Sequence, residues 1–245
     1  MATHKGVVYI ATGASYIEDA ELSARSLKKI HPDLPVCLFS DIGTNAAVFD
    51  MQFKVVNPHS RSKVDYLSES PFEKSLYLDT DTRVVASIMS GFEILERFDI
   101  AATHDMQRHP TRSKTARFRP EGVPDAFPEM NGGILFFRKN DRVVKFLRQW
   151  ALEYQQTKAS RDQPLLRRLL WFHPEILFYV LPPEYNVRWM KFVLFNGRLE
   201  SEVKILHLKL FKSQKSKWHR LKKILGTLAF PPSNIRHVIK AFRNE

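Results

Sequence analysis

The feature that most constrains this chain is the regular exchange of strand-like and helix-like segments at its start. GVVYIAT (6–12) reads as a buried strand. SYIEDAELSARSLKKI (15–30) then sets Ile17, Ala20, Ala24, Leu27 and Ile30 on one helical stripe, and LPVCLFS (34–40) supplies the next strand, giving a β-α-β opening. Ser15 with Glu18 three residues on predicts a capping box at the helix start. FKVV (53–56), SLYLD (75–79), DIAAT (99–103) and GILFFR (133–138) are further strand candidates. Residues 140–158, NDRVVKFLRQWALEYQQTK, predict an amphipathic helix whose Val143, Val144, Leu147, Trp150, Ala151 and Tyr154 pack on the sheet. The expectation is an α/β domain with a mainly parallel sheet flanked by helices, in which ligands sit beyond the carboxyl ends of the strands.

A chain of 245 residues suits one large domain with an appendage, and 44% apolar with 26% charged residues argues against a disordered or fibrous protein. The formal charge of +12 is concentrated at the end, where Lys209 to Glu245 carry ten Lys and Arg residues against Glu245 alone. In that tail KSKWHRLKKIL (215–225) puts Trp218, Leu221, Ile224 and Leu225 on one helical face ringed by lysines. Two readings stand open: an interfacial helix resting on anionic lipid, or a helix docked on the domain with a solvated basic face. Cys37 is the only cysteine, so no internal disulfide can form and a reducing, cytoplasmic setting is expected. The N-terminus lacks the long apolar segment of a signal peptide, and no stretch approaches the ~20 apolar residues that span a bilayer. A soluble protein, at most peripheral to the inner face of a membrane, is expected. Residues 104–130 form a long loop rich in Arg and Pro, a length that is commonly functional.

Chemistry is concentrated in KSLYLDTDTRVV (74–85), where a strand pattern runs into Asp79 and Asp81. Strand alternation would turn both carboxylates to one face, where they can share a cation, and oxygen ligands suit Mg2+ or Mn2+. The alternative is a plain turn, since Asp and Thr favour turns.

IATGASY (10–16), Lys63, Asp-Thr-Asp (79–81), Asp105, MNGG (130–133), Asp162-Gln163, LPPEYN (181–186) and ILH (205–207) follow one another in an order that resembles the GT-A glycosyltransferases, most closely the glycosyltransferase family 8 type that includes glycogenin and bacterial lipopolysaccharide galactosyl- and glucosyltransferases. The resemblance spans residues 6 to about 212. It implies a GT-A body over 1–210 followed by a basic amphipathic extension, 211–245. It also implies that Thr12, Gly13 and Tyr16 surround uracil and ribose, that Lys63 meets the nucleotide sugar, with Arg61 able to substitute, and that Asp79, Asp81 and His207 hold the cation. The imidazole tilts the choice towards Mn2+. Thr80 falls within the donor site by the same resemblance, and Asn131, Gly132 and Gly133 match a loop whose glycines let backbone approach the sugar. Asp162 and Gln163 match donor-hydroxyl contacts near the anomeric carbon, though Asp162 before Pro164 is also a helix N-cap candidate. Asp105 matches another sugar-site aspartate, and Asn186 is read as acceptor-side or purely structural. The chain departs from the family pattern at Leu210, where glycine is expected. Lys209, Lys212 and Lys215 all remain candidates for the diphosphate, with Lys212 taken as representative.

The resemblance implies transfer of a hexose from a UDP-sugar with retention of anomeric configuration, Asp162 stabilising the oxocarbenium-like centre. The basic loop and tail suit an acidic glycan or a lipid-linked acceptor. A nucleotidyltransferase would need an early glycine-rich phosphate loop, for which GASY (13–16) is a poor substitute. A nucleic-acid binder is suggested by net charge but opposed by carboxylates where phosphates would have to come. An inactive sugar-binding relative remains an alternative because of Leu210.

Overall fold

The computed structural model describes residues 4–105, 122–157, 161–188 and 202–212. Strand β1 (Lys5–Ala11) illustrates why the opening run is continuously apolar: Val7 and Tyr9 enter one core layer while Val8 and Ile10 enter the other. A strand covered on both faces has no polar side to present. Helix α1 (Ala14–Lys28) buries Ile17, Ala20, Ala24 and Leu27 on the first layer, and β2 (Val36–Ser40) follows parallel to β1.

The capping box does not form. Gly13 takes the N-cap position at φ 89°, no side chain caps the helix, and the Gly13 N–H instead donates to Asp41 Oδ1 at 2.8 Å. Positive φ is where glycine is strain-free. β3 (Met51–Lys54) begins two residues before the expected segment and is an outer, largely exposed strand, so only Val55, just beyond it, is deeply buried. Then come α2 (Lys63–Tyr66), β4 (Lys74–Leu78), β5 (Thr82–Val84), α3 (Met89–Ile94), β6 (Ile100–Ala102), β7 (Ile134–Arg138), α4 (Asp141–Thr157), α5 (Gln163–Phe172), β8 (Phe178–Val180) and β9 (Ile205–His207). On α4, Val143, Leu147 and Trp150 are buried as expected; Phe146, absent from the expected face, is buried with them, and Val144 is only half-buried.

Among the described residues seven strands form one sheet in the order β3-β2-β1-β4-β7-β6-β8. It is mainly parallel, as expected, but β7 runs antiparallel to both neighbours, with Leu78 opposite Ile134 at the end of β4. Reversal of that one strand brings the loop before β7 to the edge where β1 and β4 end. Helices α1 and α3 cover one face, and α2, α4 and α5 the other. A two-stranded ribbon, β5 with β9, stands beside the sheet with Thr82 opposite His207. Among the described residues no helix is long and apolar enough to cross a membrane. The expected tail helices, and most of the 104–130 loop, lie outside the described residues.

At the opposite edge, buried Asp99 locks β6, β7 and the approach to β8 together. Its Oδ1 accepts from Arg138 Nε (2.7 Å), Asn140 Nδ2 (3.0 Å) and Arg142 Nη2 (2.9 Å), and its Oδ2 from the Leu177 N–H (2.9 Å). Burial pushes this carboxyl up, but those hydrogen bonds outweigh it and hold it at about 2, against an ordinary 3.8. A carboxylate lowered on folding stabilises the fold above its unfolded value and loses that contribution as pH falls through the folded one, here worth about 2 kcal/mol. Denaturant titrations should therefore find Asp99→Asn less stable at pH 7 by about 2 kcal/mol or more, with the gap to wild type shrinking between about pH 4 and pH 2. A constant gap across that range would contradict this account.

Candidate active site

Beyond Leu78 the chain leaves β4, turns through Asp79, Thr80 and Asp81, and enters β5. The carboxylate pair thus lies in a turn, and strand alternation is not what brings it together. Convergence comes instead from the ribbon, because pairing β5 with β9 carries His207 alongside. His207 Nε2 is 3.1 Å from Asp81 Oδ1 and 3.6 Å from Asp79 Oδ2, and one donor atom from each of the three residues lies within 4.8 Å of the others. The turn is held from below by a chain of hydroxyls: the Thr82 hydroxyl donates to the Asp79 carbonyl (2.8 Å) and lies 2.7 Å from Ser23 Oγ, which lies 3.0 Å from the Tyr9 hydroxyl. Backbone bonds complete it, from Asp79 N–H to the Gly133 carbonyl (2.7 Å) and from Leu208 N–H to the Asp81 carbonyl (3.1 Å).

Gly133 is required here by crowding within the protein itself, and not by an unusual φ. Among the described glycines, positive φ occurs at Gly13 and Gly122, and not at Gly132 or Gly133. A Cβ on Gly133 would instead stand 2.4 Å from Asp79 Oδ2 and 2.6 Å from His207 Cε1. At Gly132 the nearest atoms would be 3.5 Å away, an ordinary contact.

Each ligand-type side chain also has a partner on its outer side. The Tyr77 hydroxyl donates to Asp79 Oδ1 at 2.7 Å, Lys212 Nζ lies 3.6 Å from Asp81 Oδ2, and His207 Nδ1 lies 2.9 Å from Asn186 Oδ1. Burial, reinforced by the Asp79 charge, raises the Tyr77 phenol well above its ordinary range, which keeps it a donor. Burial alone would raise Asp81, yet the hydrogen bond and charge of His207, with Lys212, hold it well below the usual carboxylate range. Two carboxylate oxygens and an imidazole nitrogen within 4.8 Å of one another fit a divalent cation of the Mn2+ or Mg2+ type.

Asp162 heads a second cluster. It occupies the N-cap position of α5 without making a side-chain cap bond, so only its position, not its carboxylate, matches the capping alternative. Asp162 Oδ2 is 3.0 Å from Lys63 Nζ, and Oδ1 is 3.4 Å from Arg61 Nε. Lys63 is buried, donates to the Gly132 carbonyl at 2.8 Å and stands 3.7 Å from Asp79 Oδ1. Desolvation would lower the lysine and raise the aspartate. Their mutual attraction, with Asp79 and Arg61 assisting, shifts the lysine up and the aspartate down, so both are ionised. Beside them Asp105 Oδ2 accepts from Asn131 Nδ2, Gln163 Nε2 and Arg188 Nη1, each at 3.0 Å. Asn131 Oδ1 accepts from the Gly133 N–H at 3.0 Å, linking the two clusters.

Lys63, Asp79, Asp81, Asp105, Asn131, Gly132, Gly133, Asp162, Gln163 and His207 therefore lie in one connected network, with Thr80 buried in the turn between the aspartates. Thr12, Gly13 and Tyr16 stand at the junction of β1 and α1, with Lys212 Nζ 5.9 Å from the exposed Tyr16 ring. Of the three candidate lysines, Lys212 reaches Asp81, Lys209 is exposed, and Lys215 lies outside the described residues. Asn186 sits behind His207. Sequence reasoning missed Tyr77 and Arg188; inward alternation in SLYLD could have found the first, but nothing local marks the second.

A mainly parallel sheet carrying a carboxylate pair after its fourth strand, closed by a histidine from a side ribbon, is the GT-A glycosyltransferase arrangement. The chain belongs to the nucleotide-diphospho-sugar transferase family, whose profile matches residues 74–225; it is a nucleotide-sugar glycosyltransferase of the GT-A type. Its fold is similar to that of LgtC, solved as an active-site mutant, at 15% identity and TM-score 0.59 over 95% of this chain and 99% of that one. LgtC, a galactosyltransferase, has also been solved with donor and acceptor sugar analogues, at TM-score 0.58 and 15% identity over 94% and 99% of the two chains. The glycosyltransferase GlyE of Streptococcus pneumoniae TIGR4 is 19% identical at TM-score 0.58, over 87% of this chain and 56% of that one. Mouse xyloside xylosyltransferase 1 is 16% identical at TM-score 0.51, over 84% and 97%. No curated protein matches the sequence.

Crowding at Gly133 yields a sharp expectation. Gly133→Ala should displace the Asp79 carboxylate and weaken divalent-cation binding at least about tenfold, the scale on which ligand positioning acts, whereas Gly132→Ala should stay within about threefold of wild type. Titration calorimetry on the two variants measures this; equal effects would refute the steric argument.

Proposed function

We propose that this protein transfers a hexose from a UDP-sugar to a glycan or lipid-linked acceptor, with retention at the anomeric carbon. The observation that carries the reading is the convergence of Asp79, Asp81 and His207 within 4.8 Å, joined through Asp79 to the buried Lys63–Asp162 pair. Asp79, Asp81 and His207 would hold Mn2+, or Mg2+ in its place. When bound, such an ion neutralises charge that develops on a diphosphate leaving group.

The remaining work falls to the chain's own residues. Tyr16, with Thr12 and Gly13, offers a platform for uracil and ribose, and Thr80 lines the donor side of the turn. Lys212 is placed to accompany the diphosphate, and Lys63 to add positive charge near the bond that breaks. Asn131, Gly132 and Gly133 keep backbone close to the sugar, while Asp105 and Gln163 orient its hydroxyls. As C1 parts from the diphosphate, the electron pair leaves with UDP, the acceptor oxygen bonds to C1 from the same face, and its hydroxyl proton passes to the departing diphosphate oxygen. Asp162, kept ionised by Lys63 and Arg61, is suited to stabilising positive charge at C1 and unsuited to donating a proton. This division of labour needs no protonated acid at the leaving group.

The proposed organisation is a transferase body over 1–210 and a basic extension, 211–245, whose charge suits an acidic acceptor or an anionic membrane surface. Leu210 in place of the family glycine favours one other reading, a relative that binds UDP-sugar without turning it over.

UDP release from UDP-glucose and UDP-galactose, with Mn2+, Mg2+ or EDTA, separates these readings. Metal-dependent release that Asp81→Ala abolishes is expected; metal-dependent UDP binding without release would establish the non-catalytic relative, and neither would overturn both. Asp162→Asn should lower turnover by about 10²–10³-fold with UDP affinity little changed, as for loss of a group that stabilises transition-state charge. An equal loss of UDP affinity would reassign Asp162 to nucleotide binding.

A further inference from the structure

Asn186 offers the clearest case of a side chain whose contacts point to a role that sequence reading did not foresee. It is buried with both ends of its amide engaged: Oδ1 lies 2.9 Å from His207 Nδ1, and Nδ2 donates to Thr103 Oγ1 at 3.0 Å. The backbone around it is equally fixed, since the Val187 N–H donates to the Ile205 carbonyl (3.0 Å) and the His207 N–H to the Val187 carbonyl (2.9 Å). His207 Nε2 faces Asp81 and Asp79 on the other side of the ring. For Nε2 to offer its lone pair to a cation, the ring proton must reside on Nδ1. An acceptor fixed at Nδ1 enforces that tautomer and the ring orientation. The hydroxyl of Thr103 turns the amide so that its oxygen, and not its nitrogen, faces the imidazole.

We propose that Asn186 is a positioning residue of the metal centre, acting through His207, and that it thereby sets a preference for Mn2+ over Mg2+. The inference rests on reading Asp79, Asp81 and His207 as a divalent-cation site. Selectivity follows from ligand chemistry: Mn2+, a transition-metal ion, accepts imidazole more readily than Mg2+, which is content with carboxylate and water oxygens. Misdirecting the ring should remove the contribution that Mn2+ uses and leave most of what Mg2+ uses. Thr103 extends the same link further, because its carbonyl accepts the Asn131 N–H at 2.9 Å, tying the imidazole to the loop that carries Asn131 and Gly133.

The test is the affinity for Mn2+ and Mg2+, measured on the full chain by calorimetry and, for Mn2+, by electron paramagnetic resonance. Asn186→Ala should weaken Mn2+ by about 10–100-fold, the usual scale for loss of a group that orients a ligand, and Mg2+ by less than about threefold. Asn186→Asp, which keeps an acceptor oxygen for Nδ1, should recover most of the Mn2+ affinity. In a His207→Ala background, Asn186→Ala should cost nothing further, the signature of action through the ring. Thr103→Val, which frees the amide nitrogen without touching His207, should shift selectivity in the same direction and serves as the test if Asn186→Ala fails to fold. Equal losses for the two ions, or additive losses in the double variant, would overturn the role of Asn186 alone. A wild-type protein that binds neither ion would overturn the cation site and this inference with it.

Discussion

A volume exclusion governs the whole site: the Asp79 carboxylate and the His207 ring occupy the space that any side chain at Gly133 would need. Three distant stretches must therefore meet at one point, and the sheet makes this possible by reversing a single strand. In an all-parallel sheet, loops preceding strands lie at the edge opposite the carboxyl ends. Because β7 is antiparallel to β4, with Ile134 opposite Leu78, the loop that precedes it opens beside the loop that follows β4. The mixed sheet is thus the device that puts Gly133 against Asp79. Pairing of β5 with β9 brings the third participant, and a shift of one residue in that ribbon would turn His207 to the other face.

Electrostatics impose a second constraint. Asp81, Asp162 and Lys63 are all buried, and isolated charges in such positions would neutralise or unfold the region. They survive as a connected set: Lys63 lies between Asp162 and Asp79, and His207 between Asp79 and Asp81. Asp79 belongs to both pairs, and the Tyr77 hydroxyl donates to its Oδ1. Such an arrangement contributes less to stability than to fixing geometry, because much of the attraction offsets desolvation.

How much of this was legible in the sequence depends on the range of the interaction. The first strands and α1 are written in local periodicity, so their spans and buried faces agree closely with expectation. The helix start did not follow, since Gly13 at φ 89° with a hydrogen bond to Asp41 settles it, and Asp41 is a tertiary partner that the Ser15–Glu18 spacing cannot reveal. The aspartate pair was visible as a motif, but its stated cause, strand alternation, was not the operative one. Asn186 and Arg188 were the least legible. Asn186 acts on His207 and Thr103, the latter 83 residues away, and Arg188 meets Asp105 across an equal separation. No local pattern distinguishes such an asparagine or arginine from one that faces solvent. The motif resemblance gathered the site residues into one place without showing which of them touch the others.

The two lysines near the aspartates differ in a way that bears on how the site meets an anion. Lys63 is only 7% exposed and carries two carboxylate neighbours together with the Gly132 carbonyl; drawing it away would strand Asp162 in the interior. Lys212 rises from the short turn Lys209–Phe211, its side chain is 38% exposed, and its one carboxylate neighbour among the described residues is Asp81 at 3.6 Å. A pair that open to water is weakly held, so under the proposed function an incoming diphosphate would compete for Lys212 at little cost, while Lys63 would act from where it stands. Burial thereby distinguishes a fixed lysine from a movable one, and the movable one is the lysine near the Tyr16 ring.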